Sequence, residues 1–124
     1  MARIIGIGLG GFLGAISRYL ITNKVENLFQ GTFPYGTLTV NLLGCFLLGF
    51  IFTLTLNHEL INPQLRIAIT TGFLGALTTF STFSYETIAL LREESLLLAF
   101  TNILISLLPG LVMVWLGITL AKLI

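Results

Sequence analysis

The charged residues of this chain stand at the edges of four long apolar runs. Arg3 precedes the first run, and Arg18, Lys24 and Glu26 follow it. His58 and Glu59 divide the second from the third, Arg92-Glu93-Glu94 divide the third from the fourth, and Lys122 closes the fourth. A bilayer core about 30 Å thick is crossed by about 20 apolar helical residues. Four such spans with short loops use all 124 residues. A soluble domain carries about 25% charged residues; this chain carries 9% and is 56% hydrophobic. The pattern predicts an all-α integral membrane protein, one four-span domain over residues 1–124, with lipid around it. A net charge of +1 gives no footprint for nucleic acid.

The spans are expected at about Arg3–Ile21, Tyr35–Leu56, Pro63–Leu91 and Ser95–Lys122. The first apolar run resembles a signal peptide but has no convincing cleavage site and continues into a full span, so it reads as a retained helix. Gly6, Gly10 and Gly14 repeat every fourth residue and give span one a flat face for close helix contact. Pro34 suits the first turn of span two. Asn62-Pro63 reads as an N-cap followed by proline at the first helical position. The loops are Thr22–Phe33, with Lys24 and Glu26, then Asn57-His58-Glu59, then Arg92-Glu93-Glu94; His58 is expected to face solvent. Positive charges nearly balance between the two sides, Arg3, Arg66 and Lys122 against Arg18, Lys24 and Arg92. Orientation normally follows Lys/Arg asymmetry. The balance therefore permits both orientations and hence an antiparallel homodimer; a single dominant arginine fixing one orientation stays open.

The run Gly72-Phe-Leu-Gly-Ala-Leu-Thr-Thr-Phe-Ser-Thr-Phe-Ser-Tyr85 sits inside the third span. Hydrocarbon tolerates unsatisfied backbone only where it is buried in protein or lines a cavity. Two glycines and five Ser/Thr hydroxyls in this run predict an interrupted helix beside a path for something polar. On a helix, Thr78, Ser81, Thr82 and Tyr85 fall within one arc of about 100°, with Phe80 and Phe83 opposite. For a lone Ser or Phe, a back-bond to the i−4 carbonyl or a lipid-facing ring is the simpler account; a stripe of four argues otherwise. Asn41 is an amide at mid-span, costly unless paired. It is either packing glue or a donor facing a pore, with Thr37 and Thr39 nearby. Arg18 either draws anions to an entrance or snorkels. Glu86 either carries protons or holds a helix. Cys45 reads as a small packing residue, and Trp115 as an anchor or a packing residue. Aspartate is absent, and no catalytic constellation emerges, so an enzyme is not expected.

Three motifs together resemble the Fluc (CrcB) family of small fluoride channels. They are Gly10-Gly-Phe-Leu-Gly-Ala-Ile-Ser-Arg18-Tyr19, Gly36-Thr-Leu-Thr-Val-Asn41-Leu-Leu-Gly44, and Gly72 to Ser84. Asn102–Ser106 and Trp115-Leu-Gly117 match the last helix more loosely. The resemblance covers essentially the whole chain. It implies a prokaryotic inner-membrane protein that passively exports fluoride as a dual-topology antiparallel homodimer with two pores. It also implies a broken third helix and a structural Na⁺ at the dimer centre, held by the main-chain carbonyls of Gly75 and Thr78. Phe80 and Phe83 match the pore phenylalanines, Asn41 the pore asparagine, Ser81 and Thr82 the polar track, and Arg18 the vestibule arginine. Thr39 belongs with the span-two entrance, and Ser106 is the match on the last helix.

Two other readings compete. A small multidrug-resistance-type proton-coupled exporter is also four short spans. It needs a titratable carboxylate in its central cavity, typically in the first span; here no Asp or Glu precedes Glu26. A non-transporting scaffold would use the glycine face and leave the hydroxyl stripe unexplained.

Overall fold

The structure, a computed structural model, describes residues 1–57, 62–93 and 95–124. His58 and Glu59, expected in the second loop, and Glu94, expected in the third, lie outside the described residues. Four helical segments are long and apolar enough to cross a membrane: Ala2–Leu28, Tyr35–Leu56, Pro63–Arg92 and Leu96–Ala121. Large apolar side chains such as Leu9, Phe12, Leu97 and Leu111 are exposed along them. In water that surface would be a large penalty; in lipid it is the expected outer face. The chain is an integral membrane protein.

Helix α1 (Ala2–Leu28) runs a full two turns beyond the end expected at Ile21. No glycine or proline lies between Gly14 and Gly31, and the stretch with Lys24 and Glu26 is helix rather than loop. Helix α2 (Tyr35–Asn57) begins one residue after Pro34, whose carbonyl accepts from Leu38 N–H at 3.1 Å. Pro34 thus precedes the first turn instead of occupying it. Phe29 and Phe33 pack against Tyr35 at this corner in tilted pairs, with ring centroids 5.2 and 4.9 Å from that of Tyr35.

The third span is built from pieces. Helix α3 (Pro63–Ile67) is capped by the Asn62 side chain, which accepts from Gln64 and Leu65 N–H, as its sequence predicts. A π-helical stretch follows over Ala68–Leu74, then the short α4 (Gly75–Leu77). Thr78 and Thr79 are extended, and α5 (Phe80–Arg92) starts the helix afresh. Thr78 therefore does not share a helical stripe with Ser81, Thr82 and Tyr85. Its hydroxyl bonds back to the Leu74 carbonyl at 3.0 Å instead. Helix α6 (Leu96–Ala121) carries Pro109 and Gly110 within it.

Helix α2 packs most extensively on α6, and α1 on the π-helical first half of the third span. Glycine sets both contacts, because lipid offers no hydrophobic drive and helices must gain by close approach. The Gly6, Gly10 and Gly14 face meets the third span. A Cβ at Gly10 would strike the Ala68 carbonyl, and one at Gly14 the Phe73 carbonyl. Across the other seam, Gly49 lies against the Val114 carbonyl and Gly117 against the Phe46 carbonyl. Val40, Leu74 and Leu77 form the buried apolar centre, flanked by Ile21, Leu47, Ile51 and Phe73.

Candidate functional site

Asn41 on α2 faces the extended residues of the third span. Its Nδ2 donates to the Thr79 carbonyl at 3.0 Å, and its Oδ1 accepts the Thr79 N–H at 2.8 Å. One amide therefore satisfies both backbone groups of a residue that has left the helix. An amide carries a second N–H, and only one goes to Thr79. Gly44, one turn further on, makes room for Thr78: a Cβ there would collide with Thr78 Cγ2.

Thr79 is the N-cap of α5. Its Oγ1 accepts the Thr82 N–H at 3.2 Å and donates to Thr82 Oγ1 at 3.0 Å, with Ser81 Oγ 3.3 Å away. In an unbroken helix the Thr79 N–H would go to the Gly75 carbonyl and the Thr82 N–H to the Thr78 carbonyl. Both donors are diverted, so both carbonyls lose their helical partners. Among the described residues no group of three His, Cys, Asp or Glu side chains is placed to hold a metal.

Beside the extended Thr78 and Thr79 lies a groove of about 360 Å³ lined by Asn41, Cys45, Gly75, Thr78, Thr79, Phe80, Phe83 and Ser106, among others. Phe80 is 79% exposed, and its ring centroid lies 5.7 Å from that of Phe83. Ser81 and Thr82 are not part of this lining; they are exposed on α5 away from it. Helix α5 thus offers rings to the groove and hydroxyls elsewhere. Thr39 and Arg18 also stand apart from the lining. The Thr39 hydroxyl bonds to the Tyr35 carbonyl at 2.8 Å, and Arg18 lies well within α1 rather than near its end. Cys45, expected only to pack, lines the groove beside Gly110.

Two further polar contacts fasten α5. Thr37 Oγ1 donates to Glu86 Oε1 at 2.8 Å, which ties α5 to α2; the second Glu86 oxygen is buried without a partner among the described residues. Asn102, 1% exposed on α6, donates to Thr87 Oγ1 at 2.9 Å, and Thr87 Oγ1 donates to the Phe83 carbonyl at 2.7 Å. Sequence reasoning passed over Thr79 and the Asn102–Thr87 pair. A threonine in a hydroxyl-rich run carries no mark of being the cap. The spacing of Thr87 from Phe83, by contrast, was a readable back-bond signal.

The chain is 50% identical over 122 residues to a protein named fluoride-specific ion channel FluC from Geotalea uraniireducens (strain Rf4), covering 98% of each. It is 49% identical over 122 residues to one of the same name from Geotalea daltonii, again covering 98% of each. To one from Dehalococcoides mccartyi (strain CBDB1) it is 46% identical over 124 residues, 100% of this chain and 95% of that one. A family model described as CrcB-like protein, Camphor Resistance (CrcB), matches residues 5–118. On that match the chain belongs to the CrcB-like family.

Proposed function

We propose that this chain is a passive, fluoride-selective channel of the bacterial inner membrane, acting as an antiparallel homodimer with two pores. The observation that carries the reading is the groove at the break. It is lined by Asn41, Phe80, Phe83 and Ser106 among others, with no Lys, Arg, Asp or Glu in its lining. The relatives' name supplies the ion.

Fluoride is small and strongly hydrated. Conduction needs binding strong enough to replace water and weak enough to release. A fixed cation in the groove would hold the anion; an amide N–H and the positive edges of phenyl rings hold it less firmly. The N-terminal end of α5 adds a partial positive charge near the middle of the span, without a titratable group. Ser81 and Thr82 on the other face of α5 are a second set of weak donors. A subunit that offers rings to one path and hydroxyls to another fits two pores about a two-fold axis.

The break supports the dimer and the cation. Gly75, Ser81 and Thr82 are exposed on the single subunit near the middle of a 30-residue span. Hydrocarbon solvates such groups poorly, and a second copy would cover them. The Gly75 and Thr78 carbonyls, freed of their helical donors, fit a monovalent ion: hard oxygens without a carboxylate. A Na⁺ held there would supply positive charge to these carbonyls and join the third spans of the two subunits. In this reading the third span is a broken helix at the dimer axis.

The exporter reading lacks its central carboxylate. Glu86 bonds to Thr37 and lines a separate cavity with Glu26 and Glu93 at the helix ends. The test is proton coupling. Liposomes holding the purified protein should release fluoride down its gradient with no pH or Na⁺ gradient. Release that depends strictly on a pH gradient would return the exporter.

A further inference from the structure

One side chain on α2 holds the third span out of the helix. The Asn41 amide takes the Thr79 N–H at 2.8 Å and donates to the Thr79 carbonyl at 3.0 Å. The first of these bonds removes the donor that a helix would give to the Gly75 carbonyl. The second fixes Thr79 in the extended conformation, φ −151° and ψ 120°, from which its hydroxyl caps Thr82. That cap removes the helical donor of the Thr78 carbonyl. Both freed carbonyls thus trace to one amide. Gly44 completes the arrangement by leaving space for the Thr78 methyl group.

We infer that Asn41 is a positioning residue for the cation-binding carbonyls as well as a wall of the anion groove. This rests on the reading above that the Gly75 and Thr78 carbonyls hold Na⁺. Anion path and cation site are then joined through a single peptide. A change at position 41 alters both, whereas a change to a ring in the same groove alters only the first. Thr79 is the second member of the device, acting through its cap.

Thermal unfolding of the purified protein against Na⁺ concentration, with an organic cation making up the ionic strength, separates these roles. A ion that binds only the folded assembly raises its melting temperature by mass action. Wild-type protein should show a saturable rise. In Asn41→Ser and Asn41→Ala the half-maximal Na⁺ concentration should move up by about tenfold or more, as expected when a buried hydrogen bond that shapes the site is lost. Phe80→Ile should lose flux and keep the wild-type Na⁺ midpoint. Thr79→Ala, which leaves both Asn41 bonds in place and is the milder change, should shift the midpoint the same way by less. A wild-type midpoint in the Asn41 variants and in Thr79→Ala would overturn the proposal and leave Asn41 as a groove wall. A melting temperature lowered equally at every Na⁺ concentration would overturn it in favour of plain packing. No Na⁺ response in the wild-type protein would instead sink the cation reading on which it stands.

Discussion

Replacing the Asn41 amide by a carboxylate sets an acceptor against the Thr79 carbonyl, where a donor now lies 3.0 Å away. It also puts negative charge on the wall of an anion path. Leaving a buried group unsatisfied costs about 1–3 kcal/mol, and about 1.4 kcal/mol is tenfold in rate. Asn41→Asp should therefore slow fluoride flux by about tenfold or more in liposome assays; wild-type flux would mean the amide is incidental. Phe80→Ile keeps much of the volume and removes an aromatic ring from the groove lining. It should also impair flux, and unchanged flux would mean that Phe80 only fills space. Asn41 was legible as a mid-span amide needing a partner, but sequence could not choose between glue and donor. Its two bonds to Thr79 leave one N–H over, so the alternatives were never exclusive. Thr39 was less legible. Its hydroxyl is already given to the Tyr35 carbonyl, the common fate of threonine in an apolar helix.

At the scale of elements, the third span depends on how closely its neighbours approach. Gly14 touches the backbone at Phe73, and Gly44 touches Thr78 beside the break. Overpacking a close contact costs about 1–3 kcal/mol. Gly14→Val and Gly44→Val should each lower the melting temperature of the purified protein, and Gly8→Val, where a Cβ meets nothing within 4 Å, should not. An equal effect at all three positions would contradict the packing described. The glycine face was readable from its four-residue spacing; its partner was not, since a flat face does not name what lies on it. The helical stripe through Thr78 failed for a definite reason. Periodicity assumes a continuous helix, and the Thr79 N–H is captured by an amide 38 residues away in sequence. The end of α1 was misjudged because hydropathy marks where lipid stops, not where hydrogen bonding stops.

For the whole molecule, four spans and their order followed from apolar run length alone, because 20 or so residues must cross the bilayer whatever they pack against. The assembly rests on near-balanced charge and on polar groups exposed at mid-span, and a tandem fusion tests it. Two copies joined by an added membrane-crossing linker, which forces opposite orientations, should conduct. Activity only in a fusion that keeps both copies parallel would refute the antiparallel dimer. Selectivity is the central claim, because everything proposed for the groove concerns a small anion held by weak donors. It is tested most directly by anion efflux from liposomes containing the purified protein, loaded with equal fluoride and chloride and opened with a potassium ionophore. Fluoride should leave rapidly while chloride stays within the leak of protein-free liposomes. Chloride efflux comparable to that of fluoride would contradict the account.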